Sequence, residues 1–388
     1  MVRGFRRVLA TLALAATWLG LSLPPARADI VIGALLSLTG PTASLGIPAR
    51  NTIELLPTKI GGEQVRWVVL DDASDPATAV RGARKLVDQE HVDVIIGPSN
   101  TPCSVAILDV AAETGTPFLS LSGSNAVIEP PEASRRWAFK MFPAERLATG
   151  QMAEHMKAHG VAGLSQIGFA TGLGDGYFAA MRADAAARSI PILAEARYNP
   201  DDTAVTGQVL RLMQPQPGAV FVAASGTPAT TPIIELRNRG FAGAIYTVMG
   251  IAGPDPLRVG GKALEGVLLS GVPVLTAEQL DDTSPSKAPA MAFITAYEGR
   301  YGPRSRNLFA ATFWDAFLLV DAAVKPALAA SQPGSAGFRT ALRDAMEQVH
   351  GMPGAQGVFS LSPRNHSGAE PSSQVLIEIR DGAYRLVR

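Results

Sequence analysis

Short, wholly apolar runs alternate along the chain with longer stretches whose apolar residues recur every three to four positions. Residues 30–37, 64–71, 92–96 and 117–121 read as strands, and Val92-Asp93-Val94-Ile95-Ile96 is apolar enough to be buried on both faces. Residues 76–89 read as a helix, with Asp75 as its cap and Pro76 in its first turn. A helix over 144–159 opens a second series. There 166–170, 218–223 and 244–248 read as strands, separated by helices near 176–188, 203–213 and 229–239. Residues 308–330 predict a long helix resembling the outer layer of the first series. Strand-like runs at 357–361, 374–379 and 384–387 close the chain. Such alternation implies an α/β fold with parallel sheets covered by helices on both faces. The order of elements fits two similar lobes, with the chain crossing between them more than once.

Two turns break this pattern in the same way. Gly97-Pro98-Ser99-Asn100-Thr101 follows one strand, and Ser120-Leu121-Ser122-Gly123-Ser124 follows the next. Pro98 ends the strand, Thr101 is the expected N-cap of the following helix, and Pro102 fits its first position. Paired turns at the carboxyl ends of neighbouring strands offer bare N–H groups and hydroxyls to a small anion. No nucleophile with a base accompanies them. The expectation is a site that holds a carboxylate rather than transforms it.

Composition narrows the setting. Arg3, Arg6 and Arg7, an apolar run over 8–23 and the ending Ala26-Arg27-Ala28 form a secretory leader, with cleavage expected before Asp29. The run is shorter than the roughly 20 residues that span a bilayer. The flanks of Arg6-Arg7 fit the general export route better than the twin-arginine one. The leader holds four of the 34 basic residues and no acid, so 30 bases face 34 acids beyond it, a formal charge of −4. That balance argues against a nucleic-acid partner. Cys103 is the only cysteine, so no internal disulfide is available, and it reads as a small buried apolar residue.

Other motifs point to structure. Gly172-Leu173-Gly174-Asp175-Gly176 opens a helix as a dinucleotide loop does, but Tyr177 stands where the third glycine belongs. His155 and His159 are four apart without the glutamate of H-E-x-x-H, and Lys157 between them opposes a cation. Asp71, Asp72 and Asp75 lack the rest of a calcium loop and read as strand end and helix cap. Met152, Met156 and Met213 read as core filler, and Arg135-Arg136 beside Trp137 as a surface turn. No G-x-S-x-G elbow is found. The expectation is therefore no enzyme, no cofactor and no metal.

Six segments in order carry a resemblance over nearly the whole chain. They are Leu38-Thr39-Gly40-Pro41, the Asp71-Asp72-Ala73-Ser74-Asp75-Pro76 helix start, Ile96-Gly97-Pro98, residues 117–124, Tyr301-Gly302 with Trp314-Asp315-Ala316, and Ser362-Pro363-Arg364-Asn365-His366-Ser367-Gly368. The chain resembles the periplasmic solute-binding proteins of the leucine/isoleucine/valine-binding family. The resemblance implies a type I periplasmic-binding-protein fold: two Rossmann-like lobes with parallel sheets joined by a multi-strand hinge. Residues 1–28 would be the signal peptide, with 29–143 and 271–350 forming lobe 1 and 144–270 and 351–388 forming lobe 2. The protein would be a periplasmic monomer that captures a small molecule and delivers it to an ATP-binding-cassette permease. A sensor of the same fold, signalling to a receptor, is the alternative.

The resemblance also assigns residues. Thr101, Ser122 and Ser124 fall on the carboxylate-binding positions, and Gly123 would let backbone approach the ligand. The second lobe would supply Leu173, Tyr177, Ser225 and the turn Met249-Gly250-Ile251-Ala252. Leu45 stands where a relative places an aromatic wall, and Leu173 where a tyrosine often precedes Gly-x-Gly. The half-cystines of family members would fall at Ser74 and Asn100. The family's acid for an α-ammonium would lie near 249–252, where there is none, and Asp255 is the nearest. The ligand is then an amino acid or, preferred on this departure, a carboxylate without an amino group, such as an aromatic or long-chain acid.

Overall fold

The computed structural model describes residues 29–130 and 133–387, so the leader and its cleavage site lie outside the described residues. The first sheet contains β1 (Ile30–Leu36), β2 (Lys59–Ile60), β3 (Glu63–Asp71), β4 (Val94–Ile96), β5 (Phe118–Ser120) and β6 (Ala138–Lys140), in the order β2-β3-β1-β4-β5-β6. From β3 to β6 every pairing is parallel. β1 explains why its strand is apolar throughout. Val31 and Leu35 pack with Leu86, Ile95, Cys103 and Ile107 on one face. Ile32, Ala34 and Leu36 pack into the main core with the long helix Leu308–Ala330 on the other.

The second sheet contains β7 (Leu164–Phe169), β8 (Ile192–Tyr198), β9 (Ala219–Ala223), β10 (Ala244–Val248) and β11 (Leu268–Gly271). A small hairpin of β12 (Met352–Pro353) and β13 (Val358–Phe359) precedes β14 (Val375–Arg380) and β15 (Ala383–Leu386), which complete the second sheet in the order β15-β14-β11-β10-β9-β7-β8. Its core strands are parallel, and β14 and β15 add antiparallel. Several elements go beyond the sequence expectation. β8 is an edge strand buried only at Ala196 and Tyr198, and β11 is only four residues long. Helix Lys287–Tyr301 buries Ala290, Phe293, Ile294 and Tyr297, and helix Ala336–Met346 buries Phe338, Leu342 and Met346, both at helical spacing.

The chain passes between the sheets three times: after β6, after β11, and again from helix Ala336–Met346 to β14. The first and third crossings are stitched together. Lys140 N–H donates to His366 O at 2.9 Å, Ser367 Oγ to Phe142 O at 2.6 Å, and Gln356 Nε2 to Met141 O at 3.2 Å. The fully buried Asp315 on the long helix accepts from Ala355 N–H and Gln356 N–H at 2.7 and 2.9 Å. Helix Lys287–Tyr301 is tied to helix Ala43–Thr52 by Tyr301, whose hydroxyl donates to Asn51 O at 2.9 Å.

Candidate functional site

The carboxyl ends of the two sheets face each other, and the two polar turns meet there. Gly97 has φ +114°, and a Cβ on it would lie 1.9 Å from Leu35 O, so only glycine passes this close to β1. Gly97 N–H donates to Leu119 O at 2.9 Å and Leu121 N–H to Pro98 O at 3.0 Å, which locks the turns side by side. The cap of the following helix is Asn100, not Thr101. Asn100 Oδ1 accepts from Cys103 N–H at 2.9 Å, and its Nδ2 reaches Ser37 Oγ and Thr42 Oγ1. Thr101 is the first helical residue, which frees its hydroxyl to turn toward Ser122.

Thr101 Oγ1 and Ser122 Oγ lie 2.6 Å apart, and Ser122 Oγ also accepts from Ser124 N–H at 3.2 Å. One hydroxyl proton must serve the Thr101–Ser122 contact, so the other is left unspent, facing the cleft. Among the described residues, no acceptor takes up the N–H groups of Ser99, Asn100 or Gly123. This cluster of free donors can receive an anion. Ser124 behaves differently from expectation. Its hydroxyl donates across the cleft to Gly172 O at 3.0 Å and accepts from Ala126 N–H at 3.2 Å, joining the two sides of the cleft instead of lining it.

Opposite stand Leu173 and Tyr177 on helix Gly172–Ala186, Ser225 after β9, Val248 at the end of β10, and Met249 and Gly250 after it. The Tyr177 phenol is buried and its pKa is pushed up by that burial, so it stays protonated as a donor near Gly123. Sequence reasoning missed Phe142 and Phe309, which floor the cleft with ring centroids 5.8 Å apart. Phe142 lies on the first crossing and Phe309 in the first turn of the long helix. Besides Ser124, two of the sequence-predicted residues are not brought into the lining. Leu45 packs toward Gly226 at a neighbouring contact, where Ser44 Oγ accepts from Thr227 N–H at 3.4 Å. Ala252 ties the turn after β10 to the long helix, accepting from Leu308 N–H at 3.1 Å.

The cleft is nearly closed. About 20 Å³ remains inside it, with a further 60 Å³ beside it between Thr42, Thr171 and Pro200. No residue lining either space carries a charge. Asp255 is exposed and paired with Arg258 at 3.2 Å, outside both. A groove of about 1100 Å³ lies elsewhere, along Ala144–Arg146 and Pro363–Ser367.

The other sequence motifs settle into structural roles. Asp71 closes the first turn by accepting from Leu38 N–H, Thr39 N–H and Thr39 Oγ1, and Asp75 caps helix Pro76–Asp88 through Thr78 N–H. His155 and His159 stack at 3.9 Å, with His155 Nδ1 2.9 Å from the Tyr246 hydroxyl. In the Gly172–Gly176 loop, a Cβ on Gly176 would strike the Glu145 carboxylate at 2.3 Å.

Comparison with known proteins gives one family. The periplasmic binding protein family matches residues 29–382. The Leu/Ile/Val-binding protein BraC3 of Rhizobium johnstonii is 29% identical over 147 residues, covering 32% of this chain; the chain spans only 40% of that relative's length. An extracellular ligand-binding receptor from Rhodopseudomonas palustris HaA2 superposes with a TM-score of 0.90 at 38% identity, covering 93% of this chain and all of the other. A solute-binding protein of an ABC transporter from R. palustris, solved in complex with benzoate, shares the fold at a TM-score of 0.77 and 21% identity, over 93% of this chain and 96% of its own.

Proposed function

The chain belongs to the periplasmic binding protein family, and from that premise we propose that it captures an amine-free carboxylate with an aromatic or hydrophobic body. The ligand would close between the sheets and pass to an ATP-binding-cassette permease. The family is one of binding proteins and not of enzymes, and membership gives an exported, periplasmic setting. The observation that carries the ligand assignment is the uncharged lining of the cleft. A buried ammonium without an acidic partner is costly, whereas a carboxylate can be met by hydroxyls and free amides. Thr101, Ser122 and the Gly123 amide would bind it, while Phe142, Phe309, Leu173 and Tyr177 would enclose its apolar body. The benzoate complex of a protein with this fold accords with that chemistry.

Function would follow from closure. Residues 29–143 with 271–350 would move as one lobe and 144–270 with 351–387 as the other, about the three crossings. A bound ligand would shift the population toward the closed form that a permease recognises.

A thermal-shift screen of ligand-stripped protein tests the assignment. One panel holds leucine, isoleucine, valine and phenylalanine; the other holds their amine-free counterparts with benzoate- and cinnamate-type acids. Stabilisation by the second panel alone is expected. Stabilisation by the amino acids would overturn it and require an acid to reach the cleft.

A further inference from the structure

We propose that Lys140 is the buried countercharge of this site, an ammonium placed behind the Gly123 peptide that makes the turn in front of it selective for a carboxylate. The inference rests on the reading of the cleft as a carboxylate site. Lys140 ends β6 and is fully buried. Its Nζ donates to Gly123 O at 3.2 Å, to Asn125 Oδ1 at 2.5 Å and to Pro143 O at 3.0 Å. All three acceptors are neutral, and among the described residues Lys140 makes no ion pair. A cation removed from water needs a compensating charge.

The charged groups around it act through space and not as ion-pair partners. Glu145, at the head of helix Glu145–Ala158, accepts from Asn125 N–H with Oε1 at 3.0 Å and acts on Lys140 through space, as does Glu129 from the loop. Tyr177 faces the same region from helix Gly172–Ala186 as a neutral phenol. His366, on the third crossing, offers Lys140 only its backbone carbonyl, its Nε2 lying 3.2 Å from Glu347.

The hydrogen bonds lead instead to the cleft. The Gly123 carbonyl held by Lys140 belongs to the same peptide unit as Ser124 N–H, which donates to Ser122 Oγ, 2.6 Å from Thr101 Oγ1. Charge, peptide dipole and hydroxyl pair thus form one aligned chain, and each member polarises the next. An anion at its far end completes a pair that the protein leaves open. Burial pulls the Lys140 ammonium down to about 8, with Glu145 and Glu129 opposing, so it holds its proton at neutral pH and loses it a little above.

Acid–amide pairs test this: cinnamate with cinnamamide, 4-methylpentanoate with its amide, and leucine with leucinamide, titrated calorimetrically into wild type and Lys140→Met. For whichever acid binds, Lys140→Met should weaken it by at least about tenfold while moving its amide less than about twofold. Raising the pH from 7 to 9 should weaken the same acid in wild type and leave cinnamamide and 4-methylpentanamide, which carry no amine, unchanged, an arm that does not depend on the variant folding. Equal losses for acid and amide, or an acid affinity indifferent to both perturbations, overturn the role of Lys140. Binding by leucine alone refutes the amine-free ligand but leaves this comparison intact. Failure of all three acids refutes the carboxylate reading and this inference with it.

Discussion

Asp315 sits fully buried on helix Leu308–Ala330, where it fastens the third crossing, and its titration should be visible in the stability of the whole protein. Two effects oppose each other there. Burial disfavours the carboxylate, while Ala355 N–H, Gln356 N–H and Gln356 Nε2 all donate to it. Burial is the larger, and it raises the group from 3.8 to about 7. The folded protein therefore keeps a proton that the unfolded chain has lost. The contribution is fully present below the unfolded value and is lost as pH rises through about 7. The whole difference amounts to roughly 4 kcal/mol, of which roughly 2–3 kcal/mol falls between pH 5 and pH 8. Asp315→Asn removes the titration. Its amide also brings donors where three donors already converge, so the variant should be less stable at every pH. Urea unfolding of both proteins from pH 5 to pH 8 gives the decisive quantity, the change in their stability difference. It should shrink by roughly 2–3 kcal/mol as pH rises. A constant difference refutes the reasoning. A difference that grows with pH would show that the three hydrogen bonds outweigh burial.

Thr101→Val and Ser122→Ala should each weaken binding of the acids that stabilise the wild type by about tenfold or more, with thermal midpoints in the absence of ligand little changed; unchanged affinities in both would remove the hydroxyl pair from the site. Ser124→Ala loses the contact to Gly172 O, so its first effect should be on closure, read as a larger radius of gyration without ligand. Gly97→Ala places a Cβ 1.9 Å from Leu35 O at φ +114°, and the separation of the two site turns should cost more than about 3 kcal/mol, seen as a collapse of the urea midpoint. Cys103 is fully buried and its thiol is pushed up to about 12, so a disulfide reagent should label it only at the rate of unfolding.

What the sequence made legible depended on local chemistry. β1 and β4 declare themselves because both faces of each are buried, which forces an unbroken apolar run. The site turns declare themselves because Gly97 and Gly123, with the prolines and serines around them, are residues that end strands and leave amides bare. β8 does not, since an edge strand buried only at Ala196 and Tyr198 carries no unbroken apolar run, and helix Lys287–Tyr301 carries its helical spacing through a segment with a proline near its start. Phe142 and Phe309 could not be assigned to the cleft from their own neighbourhoods. Each reads as core, and only the return of the chain 167 residues later brings the rings to 5.8 Å.

The same distinction explains the polar residues. Thr101, Ser122 and Ser124 look equivalent in the sequence, yet a hydroxyl's function is set by what has already used its proton. Ser124 has given its proton to Gly172 O, whereas the Thr101–Ser122 pair keeps one in reserve. Lys140 is the opposite case. An isolated lysine at a strand end reads as solvated, and nothing local marks it as buried. Its place follows from β6 lying between β5 and the third crossing, with Pro143, Gly123 and Asn125 closing over Nζ. An uncharged cleft backed by an unpaired buried cation is a combination that discriminates by charge without presenting a charged side chain to the ligand. That arrangement fits a receptor that must also release what it binds: a carboxylate held by hydroxyls and amides gives up its contacts as the lobes part, whereas a direct ion pair would have to be broken.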